Sequence, residues 1–533
     1  MEYVLSPEEM VAQTSGCLAL DVTRPTQQQA SQANQVSSDA DFQSIADGIC
    51  ALDVWNQLLT PLTNSFPLDN GCAHVDLGSL PQTGFSQETG LYLSPSEDDD
   101  GVLGVLAGIF LDHIHPSMPF FKRSYLLDNL GLKRQEHDIS FNALIHAICA
   151  LTLLQTSHRS GPTILPNRKE QAETLMSRAV QLHSSTNLGE APTLENVLTS
   201  IFLFACQFCR ENHNAAKFRL REASTLAEIM KLGELQAYGW LAPDERDRRL
   251  RTVLGLTLLE RVYAIQRAYP LNEKSLTRGH VHVIQGMLEQ GFSNYELQDL
   301  QAVSSLKDMI ESFDFVDSRL LKCWRNECWV EGNERHVSPA TVCTLLKRYA
   351  SSIPDSGAHN WDSQRADITI TRHWMRSVLW KLASRHGFVS DLSNDKELRP
   401  KYVISIATDA IVTCESFGIS TLEVHGIGLT EKLYDIITSA LEFMETRQNP
   451  TSMPLNDDPS LGHGNVSAQT LSPCRKRNAL ASSGTGSDAP EPICPPAGLC
   501  NRYLAIFASF MGGDHPFLGP YMQKLCGLDI FGP

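Results

Sequence analysis

The sequence predicts an all-α protein of about ten or more packed helices, and three observations support this fold class. Apolar residues recur at intervals of three and four in many segments, the spacing that lines one face of a helix. The segment 243–270 lies between Pro243 and Pro270 and places acids four residues before arginines, which stabilises a helix. Alternating apolar and polar runs framed by Asn-Gly or Asp-Gly turns, the pattern of hairpin strands, are nearly absent.

Residues 1–100 differ in composition from the rest of the chain. They hold fifteen acidic residues and a single basic one, Arg24, and so carry −14 of the chain's net charge of −17. Residues 26–44 are rich in Gln, Ser and Asn, and isolated aromatic and leucine residues interrupt the polar tracts. We predict a mostly disordered acidic segment, whose composition is typical of disordered activation segments and equally of a merely solvating tail.

A helical domain is predicted for residues 101–448. The apolar stretch 101–114 stops before Pro116 and Pro119, and the nearly all-apolar 141–156 is expected to be buried on several sides. Thr193 suits the start of a helix at 193–210, and Gly233 suits the end of one at 214–233. The remaining helices are expected at 166–185, 243–270, 297–330, 339–352, 363–386, 400–416 and 420–446.

The helix predicted at 243–270 contains three acid–arginine pairs at i,i+4. In each pair the acid is N-terminal, the orientation that also suits the helix dipole, and each exposed pair contributes about 0.2–0.5 kcal/mol. The pairs are Asp244–Arg248, Glu245–Arg249 and Asp247–Arg251.

The C-terminal part divides into two predicted regions. Residues 449–495 are rich in Pro, Ser and Gly and have no apolar period, so we predict a disordered loop. The apolar segment within 496–533 is expected to form helix and to pack back on the core.

No membrane or secretory feature is found in the sequence. No apolar run reaches the roughly 18–20 residues that span a bilayer, and the N-terminus has acid where a signal peptide needs base. The prediction is a soluble intracellular protein with no membrane partner. Three consecutive basic residues within 474–478 are an alternative for a nuclear-import patch, although three charges are too few to be specific. Residues 465–467 fit the N-glycosylation acceptor pattern, which has no meaning without a secretory route.

Three groups of metal-type residues were weighed, and no metal site is predicted. His113 and His115 are two residues apart, on opposite sides of a helix, and Pro116 favours a helix end. Cys206, Cys209 and His213 have the spacing of one helical face, which makes zinc binding a weak alternative. The favoured interpretation is that the cysteines are simply buried, because this helix is very apolar. The last group is Cys323 and Cys328. Their spacing of five residues places them on different faces of a helix, so they are a still weaker candidate.

No catalytic or cofactor-binding residue is predicted either. The nucleophile-elbow, phosphate-loop, dinucleotide and zinc-protease motifs are absent from the sequence. The acidic clusters at 97–101 and 456–460 resemble solvated loop acids more than a magnesium site. The chain is therefore predicted not to be an enzyme.

The segment "IFLDHIHPSMPFFKRSYLLDNL" at 109–130 resembles the start of the fungal-specific transcription factor domain, the middle homology region of zinc-cluster (Zn₂Cys₆) regulators. In that family an aromatic-rich helix runs into His-Pro, an apolar residue and a second proline. The matching residues are His115, Pro116, Pro119, Phe120, Phe121 and Tyr125. The resemblance implies that these residues end a helix and pack in a core.

Further segments resemble the family in the same order. They are 141–151, 192–209, 247–265 with its Glu260-Arg261 pair, 371–388 and 420–444. The usual tryptophans after the arginines of 247–265 are absent, and the resemblance covers about 105–446 plus the tail after 496.

The resemblance implies a nuclear transcription regulator whose helical domain is a regulatory scaffold, controlling a secondary-metabolite or catabolic gene set. A small-molecule effector, coactivators and a homodimer are the expected partners. Residues 1–100 contain only Cys17, Cys50 and Cys72, whereas a zinc cluster needs six cysteines among basic residues. Either the gene model starts downstream of that module, or the protein contacts DNA only indirectly, as a partner or decoy of an intact regulator. A helical small-molecule-binding protein or enzyme of the same fold is the alternative.

Overall fold

The computed structural model describes residues 97–155, 168–272, 274–328, 337–351, 362–448 and 497–527. Seventeen α-helices and no strand occur in these ranges, which confirms the all-α fold class. In chain order the helices are α1 (Glu97–His113), α2 (Arg123–Gly131), α3 (Ile139–Gln155), α4 (Arg168–Ser184), α5 (Leu194–Cys209), α6 (His213–Ile229), α7 (Pro243–Arg267), α8 (Arg278–Glu289), α9 (Leu297–Ser312), α10 (Ser318–Trp324), α11 (Pro339–Ala350), α12 (Asp362–Arg385), α13 (Tyr402–Glu415), α14 (Ile419–Glu423), α15 (Gly426–Gln448), α16 (Ala497–Ser509) and α17 (Leu518–Gly527). The predicted domain boundaries at 100, 448 and 495 stay predictions.

The helices α1 to α10 form a first helical group centred on α3 and α5. The apolar α3 packs on α1, α4 and α5, and α5 packs on α6. Both central helices are apolar on most sides, and most of their side chains are buried. Thr193 caps α5 in a reciprocal hydrogen-bonded box with Asn196, which confirms the expected helix start.

The His-Pro turn after α1 seats an aromatic cluster in this core. The buried ring of His115 hydrogen-bonds through Nε2 to the carbonyl oxygen of Phe121 at 2.7 Å. Phe110 lies between the rings of Phe121 and Phe202, at centroid distances of 6.2 and 5.5 Å. Burial lowers the pKa of His115 to about 3, so this histidine is a neutral core residue at the end of a helix.

A second helical group, α11 to α17, is built around α12. The long α12 packs on α11, α13 and α15, and α16 returns against α13 and α15. Trp374 of α12 is buried and donates its indole N–H to Asp435 Oδ2 on α15 at 3.0 Å. The two groups meet where α9 contacts α12 and α5 contacts α15.

Four expectations about helix boundaries were wrong. Two helices, α9 and α10, lie where one was expected at 297–330, and α14 and α15 lie where one was expected at 420–446. The helix α8 was not expected. The acidic run at 97–101, expected in a loop, lies in the first turn of α1.

The C-terminus of α6 also differs from expectation. The helix ends at Ile229, and Lys231, with φ of 57°, takes the left-handed position expected for Gly233. The hydrogen bonds Lys231 N–H to Glu228 O (2.9 Å) and Leu232 N–H to Ala227 O (2.9 Å) close the end. Gly233 instead lies close to Leu276, where a β-carbon would come within 3.1 Å of the leucine Cδ2.

Two of the three ion pairs expected on α7 are present. Arg249 contacts Glu245 at 2.7 Å, and the fully buried Arg251 contacts Asp247 at 2.9 Å. Asp244 pairs with Lys122 at 2.8 Å rather than with its i,i+4 arginine. Tertiary contacts therefore replace one of the local pairs.

Candidate functional site

A cavity of about 220 Å³ lies where the two helical groups meet. Helices α5, α7 and α9 of the first group form one wall, and α12 and α15 of the second form the other. Most of its lining is apolar and includes Phe204, Phe208, Leu258, Val262, Met309 and Ile368. An apolar cavity with a few convergent polar groups is the usual form of a small-molecule site.

A charged pair from the second group lines this cavity. Lys432 Nζ on α15 donates to Asp367 Oδ1 on α12 at 2.9 Å and to Thr371 Oγ1 at 2.7 Å. The side chains of Lys432 and Asp367 are only 11% and 17% exposed. Burial acts to raise the pKa of the Asp367 carboxyl, but the charge of Lys432 and the hydrogen bonds from Lys432 and Thr371 outweigh it and hold this pKa below its usual value. Asp367 is therefore ionised at neutral pH.

His425 completes the polar part of the wall. Its Nε2 lies 2.7 Å from the carbonyl oxygen of Ser363, which can only accept, so this nitrogen carries the proton. Burial lowers the pKa of His425 against the opposing charge of Asp367, so the ring is neutral. Nδ1 is then an acceptor and receives the hydroxyl of Ser117 at 3.3 Å.

The break between α14 and α15 places His425 in the cavity. Gly426 follows it with φ of +57°, a conformation that favours glycine. A β-carbon at 426 would also come within 3.0 Å of Gln155 Cγ. Gln155 in turn donates to the carbonyl oxygen of Val424 at 2.9 Å and ties α3 to this turn.

A second contact crosses the same junction beside the cavity. Arg267, the last residue of α7, forms an ion pair with Glu431 on α15, and its Nη2 lies 3.1 Å from Glu431 Oε2. Gln266 donates to the same carboxylate at 3.4 Å. The two walls are thus joined by polar contacts that a conformational change would have to rearrange.

These groups can bind a polar ligand. The ionised Asp367 accepts, Lys432 donates, and neutral His425 offers one acceptor nitrogen already bonded to Ser117. Covalent catalysis needs a nucleophile bonded to a base that a third group orients. The Ser117 hydroxyl, His425 and the Ser363 carbonyl oxygen stand in that order, with a long Ser117–His425 distance of 3.3 Å.

A larger cavity of about 500 Å³ lies between the first turn of α4 and residues 511–516. Its ion pair, Lys169–Asp514 at 3.1 Å, joins side chains that are 83% and 65% exposed. Such surface pairs contribute about 0–1 kcal/mol. The buried charges make the 220 Å³ cavity the better candidate site.

The cysteine–histidine group weighed at 206–213 does not share one helical face. The helix α5 ends at Cys209, Glu211 is left-handed with φ of 57°, and His213 begins α6. Cys206 donates its S–H to the carbonyl oxygen of Ala147 at 3.7 Å, and burial raises its pKa well above the usual value. The turn therefore overturns the geometric basis of that alternative.

The other weighed residues fall in different places. His113 ends α1, while His115 faces Phe121 O. Cys323 and Cys328, expected to point apart on a helix, are brought together instead, because α10 ends at Trp324. The clusters at 456–460, 465–467 and 474–478 and the cysteines at 17, 50 and 72 lie outside the described residues.

The cavity residues were not predicted from the sequence, although a signal was present. Lys432 falls on the same helical stripe as the buried Leu429 and Ile436, and Asp367 on the stripe of Ile370 and Trp374. A charged residue on an otherwise buried apolar stripe is costly unless it is paired. Such residues mark a buried pair or a binding site.

The chain is similar to two curated yeast proteins. One is the "Probable sucrose utilization protein SUC1" of Candida albicans, 23% identical over 347 residues that cover 62% of this chain and 64% of the relative. The other is the "Maltose fermentation regulatory protein MAL13" of Saccharomyces cerevisiae, 23% identical over 306 residues that cover 56% of this chain and 59% of the relative. The chain thus spans about three fifths of the length of these relatives.

No family model matches the chain, and no solved structure matches it. Among the described helices, none is both long and apolar enough to cross a membrane. MAL13 is a regulator by name, which supports the regulatory role expected from the sequence.

Proposed function

We propose that this chain is a fungal transcription regulator whose helical domain binds a small polar effector in the cavity between its two helical groups. The observation that carries the proposal is the buried Lys432–Asp367 pair, held at 2.9 Å in an otherwise mostly apolar cavity wall. Similarity to a maltose fermentation regulatory protein supports the regulatory part.

The chemistry of the wall favours a ligand with several hydroxyl groups. A carboxylate accepts from hydroxyls and an ammonium donates to them, while the apolar lining covers a ligand's carbon faces. The relatives are named for sucrose utilization and maltose fermentation, so a sugar or sugar derivative is the proposed effector class. At about 220 Å³ the cavity suits a small ligand, below the roughly 300–1,000 Å³ typical of drug-sized ligands.

The proposed mechanism is a shift between two placements of the helical groups. An effector that contacts both walls favours the placement in which it fits best. The polar contacts Arg267–Glu431 and Gln155–Val424, which cross the junction, rearrange when the placement changes. This shift exposes or masks the acidic residues 1–100, whose net charge of −14 suits a coactivator contact. The same charge repels DNA phosphates, so that segment does not bind DNA itself.

The finer assignments belong to the same proposal. The protein acts in the nucleus as a zinc-cluster-type regulator of a catabolic gene set, which the relatives favour over a secondary-metabolite one. It reaches DNA through an N-terminal module or through an intact regulator with which it pairs. Coactivators and a second copy of the chain are further proposed partners.

A reporter assay tests both parts of the proposal. The full chain is fused to a heterologous DNA-binding module, and reporter transcript is measured with and without sucrose, maltose and their monosaccharides. We expect a sugar-dependent change in transcript that Asp367→Asn reduces at least several-fold. Asp395→Asn, which removes an acid from an exposed pair with Lys347, should leave the response unchanged.

Two outcomes separate the parts of the proposal. A fusion that never alters transcription, together with unchanged transcripts when the gene is deleted, would refute the regulatory role. A sugar response that Asp367→Asn leaves intact in a folded, expressed protein would refute the cavity as the effector site. Conversion of a sugar by the purified chain would establish the alternative, an enzyme of the same fold.

A further inference from the structure

Two cysteines and a histidine meet where α10 and α12 end. The sulfur atoms of Cys323 and Cys328 and a ring nitrogen of His386 all lie within 4.8 Å of one another. Cys323 is 0% exposed, and Cys328 and His386 are each 5% exposed. Two thiols and an imidazole are the ligand set that zinc prefers in proteins.

The turn after α10 is what brings the two cysteines together. Asn326 is left-handed, with φ of 60°, and asparagine tolerates this conformation better than most residues. Its N–H bonds to Cys323 O at 3.1 Å, and the N–H of Glu327 reaches back to Lys322 O at 2.8 Å. This pair of bonds is a Schellman motif, which reverses the chain and returns Cys328 to the side of Cys323.

The end of α12 uses the same device to present His386. Gly387 is left-handed, with φ of +68°, and its N–H bonds to Ser384 O at 3.0 Å while Phe388 N–H bonds to Ala383 O at 2.9 Å. The two helix ends are joined by Arg385, which donates to Trp324 O at 3.3 Å and covers the tryptophan ring at 4.6 Å. The three side chains are therefore placed by two capped helix ends rather than by a loop.

The histidine has the hydrogen bond that orients metal-binding imidazoles. Nδ1 lies 2.9 Å from the carbonyl oxygen of Leu382 and must carry the proton, since a carbonyl only accepts. Nε2 is then an acceptor, and it faces Cys328 Sγ at 3.3 Å. A ligating histidine usually donates its other ring N–H to a carbonyl or carboxylate in this way.

We propose that Cys323, Cys328 and His386 bind a zinc ion. The two sulfurs bind as thiolates and His386 binds through Nε2, so two thiol protons leave for the solvent per zinc bound. A water molecule or an exchangeable ligand takes the fourth position of the tetrahedron. The ion joins α12 to α10, which Trp324 Nε1 ties to Ile265 O on α7 at 3.0 Å. Since α7 and α12 both line the cavity, the zinc would hold two of its walls together.

A second group with metal-type residues carries no such inference. Cys343 and the two acids Asp395 and Glu397 also lie within 4.8 Å of one another. There, Lys347 Nζ already donates to Asp395 Oδ1 at 2.6 Å, so an ammonium group occupies the place of a cation.

Metal titration of the full chain tests the zinc site. The reduced protein is stripped with a chelator, zinc affinity is measured by competition with a chromophoric chelator, and cobalt(II) is added as a spectroscopic probe. We expect the wild type to bind one more zinc than Cys328→Ser does, and to show a thiolate-to-cobalt absorption that this variant lacks. Affinity at the site should fall by more than about 100-fold, because loss of even an outer-shell partner typically costs 10–100-fold. Zinc should also raise the melting temperature of the wild type and not of the variant.

Two further variants keep the result decisive. Cys209→Ser removes a cysteine from the group at 206–213 and should bind zinc like the wild type. His386→Gln replaces the third ligand and should weaken binding in the same way if Cys328→Ser fails to fold by circular dichroism. Equal zinc stoichiometry and affinity in the wild type and in both ligand variants would overturn the proposal. A reduced wild type that binds no zinc, and in air forms a Cys323–Cys328 disulfide, would overturn it in favour of a redox pair.

Discussion

Phe120 packs directly on the backbone of Gly255, so that a β-carbon at position 255 would overlap Cε1 of the phenyl ring. Gly255 lies in the middle of α7, and Phe120 belongs to the His-Pro turn after α1. The ring is 3% exposed and stacks edge-on against Phe202 of α5 at 5.8 Å between centroids. A helical glycine therefore allows the closest approach of the turn to α7.

Gly255→Ala should destabilise the protein by about 1–3 kcal/mol, the usual cost of overpacking a filled core. Chemical denaturation followed by circular dichroism measures this change. The matched control is Gly286→Ala in α8, where nothing lies within 4 Å of the added β-carbon. There, alanine should stabilise by about 0.5–1 kcal/mol, since it suits a helix interior better than glycine. Equal stability of Gly255→Ala and the wild type would show that the ring moves aside freely.

Breaking the buried pair should cost more than removing both partners. Asp367→Asn leaves the Lys432 ammonium largely buried without its carboxylate, and we expect a loss of about 3 kcal/mol. Adding Lys432→Met should recover part of this loss, because no unpaired charge then remains in the cavity wall. Denaturant unfolding of the two single variants and the double variant gives the coupling energy. Strictly additive losses would contradict a direct interaction between the two side chains.

The helices that bury several faces were the most predictable part of the fold. The bounds of α3, α5 and α12 lie within two residues of expectation, because a dense apolar period and a capping threonine are local signals. The break at His425–Gly426 was missed for a physical reason. A glycine inside an apolar period is tolerated within a helix, and the contact of Gln155 with the carbonyl oxygen of Val424 in this turn joins residues 269 positions apart.

The candidate sites were harder to predict, because tertiary packing creates them. Asp367 and Lys432 are 65 residues apart, and nothing local pairs them. Cys323 and Cys328 point apart on a continuous helix, so their spacing argued against a site. One left-handed residue, Asn326, reverses that conclusion.

Removing the Thr193 cap should weaken α5. Its hydroxyl accepts from Asn196 N–H, and Asn196 Oδ1 accepts from Thr193 N–H at 2.9 Å. Thr193→Ala leaves helix donors without this partner and should cost about 1 kcal/mol. Thr193→Ser keeps the hydroxyl and should cost much less. Thermal denaturation compares the two, and equal losses would show that packing of the methyl group, not the cap, stabilises the helix start.

His115 should make the protein less stable in mild acid. Burial first of all, and Arg251 beside it, lower the pKa of His115 from 6.5 to about 3, against the opposing bond to Phe121 O. Between these values the unfolded chain binds a proton that the folded chain does not, so stability is lost as the pH falls. The loss attributable to this one group is about 2 kcal/mol at pH 5.

Denaturant unfolding at pH 7 and pH 5 checks the contribution of His115. In His115→Gln, whose amide can still donate to Phe121 O, the loss of stability between the two pH values should shrink by about 2 kcal/mol, because no group at 115 titrates. His137→Gln removes an exposed histidine and should leave the difference as it is in the wild type. If His115→Gln and the wild type lost equal stability between pH 7 and pH 5, the ring would already be protonated in the folded protein. The packing of His115 as a neutral residue between Phe110 and Phe121 would then be wrong.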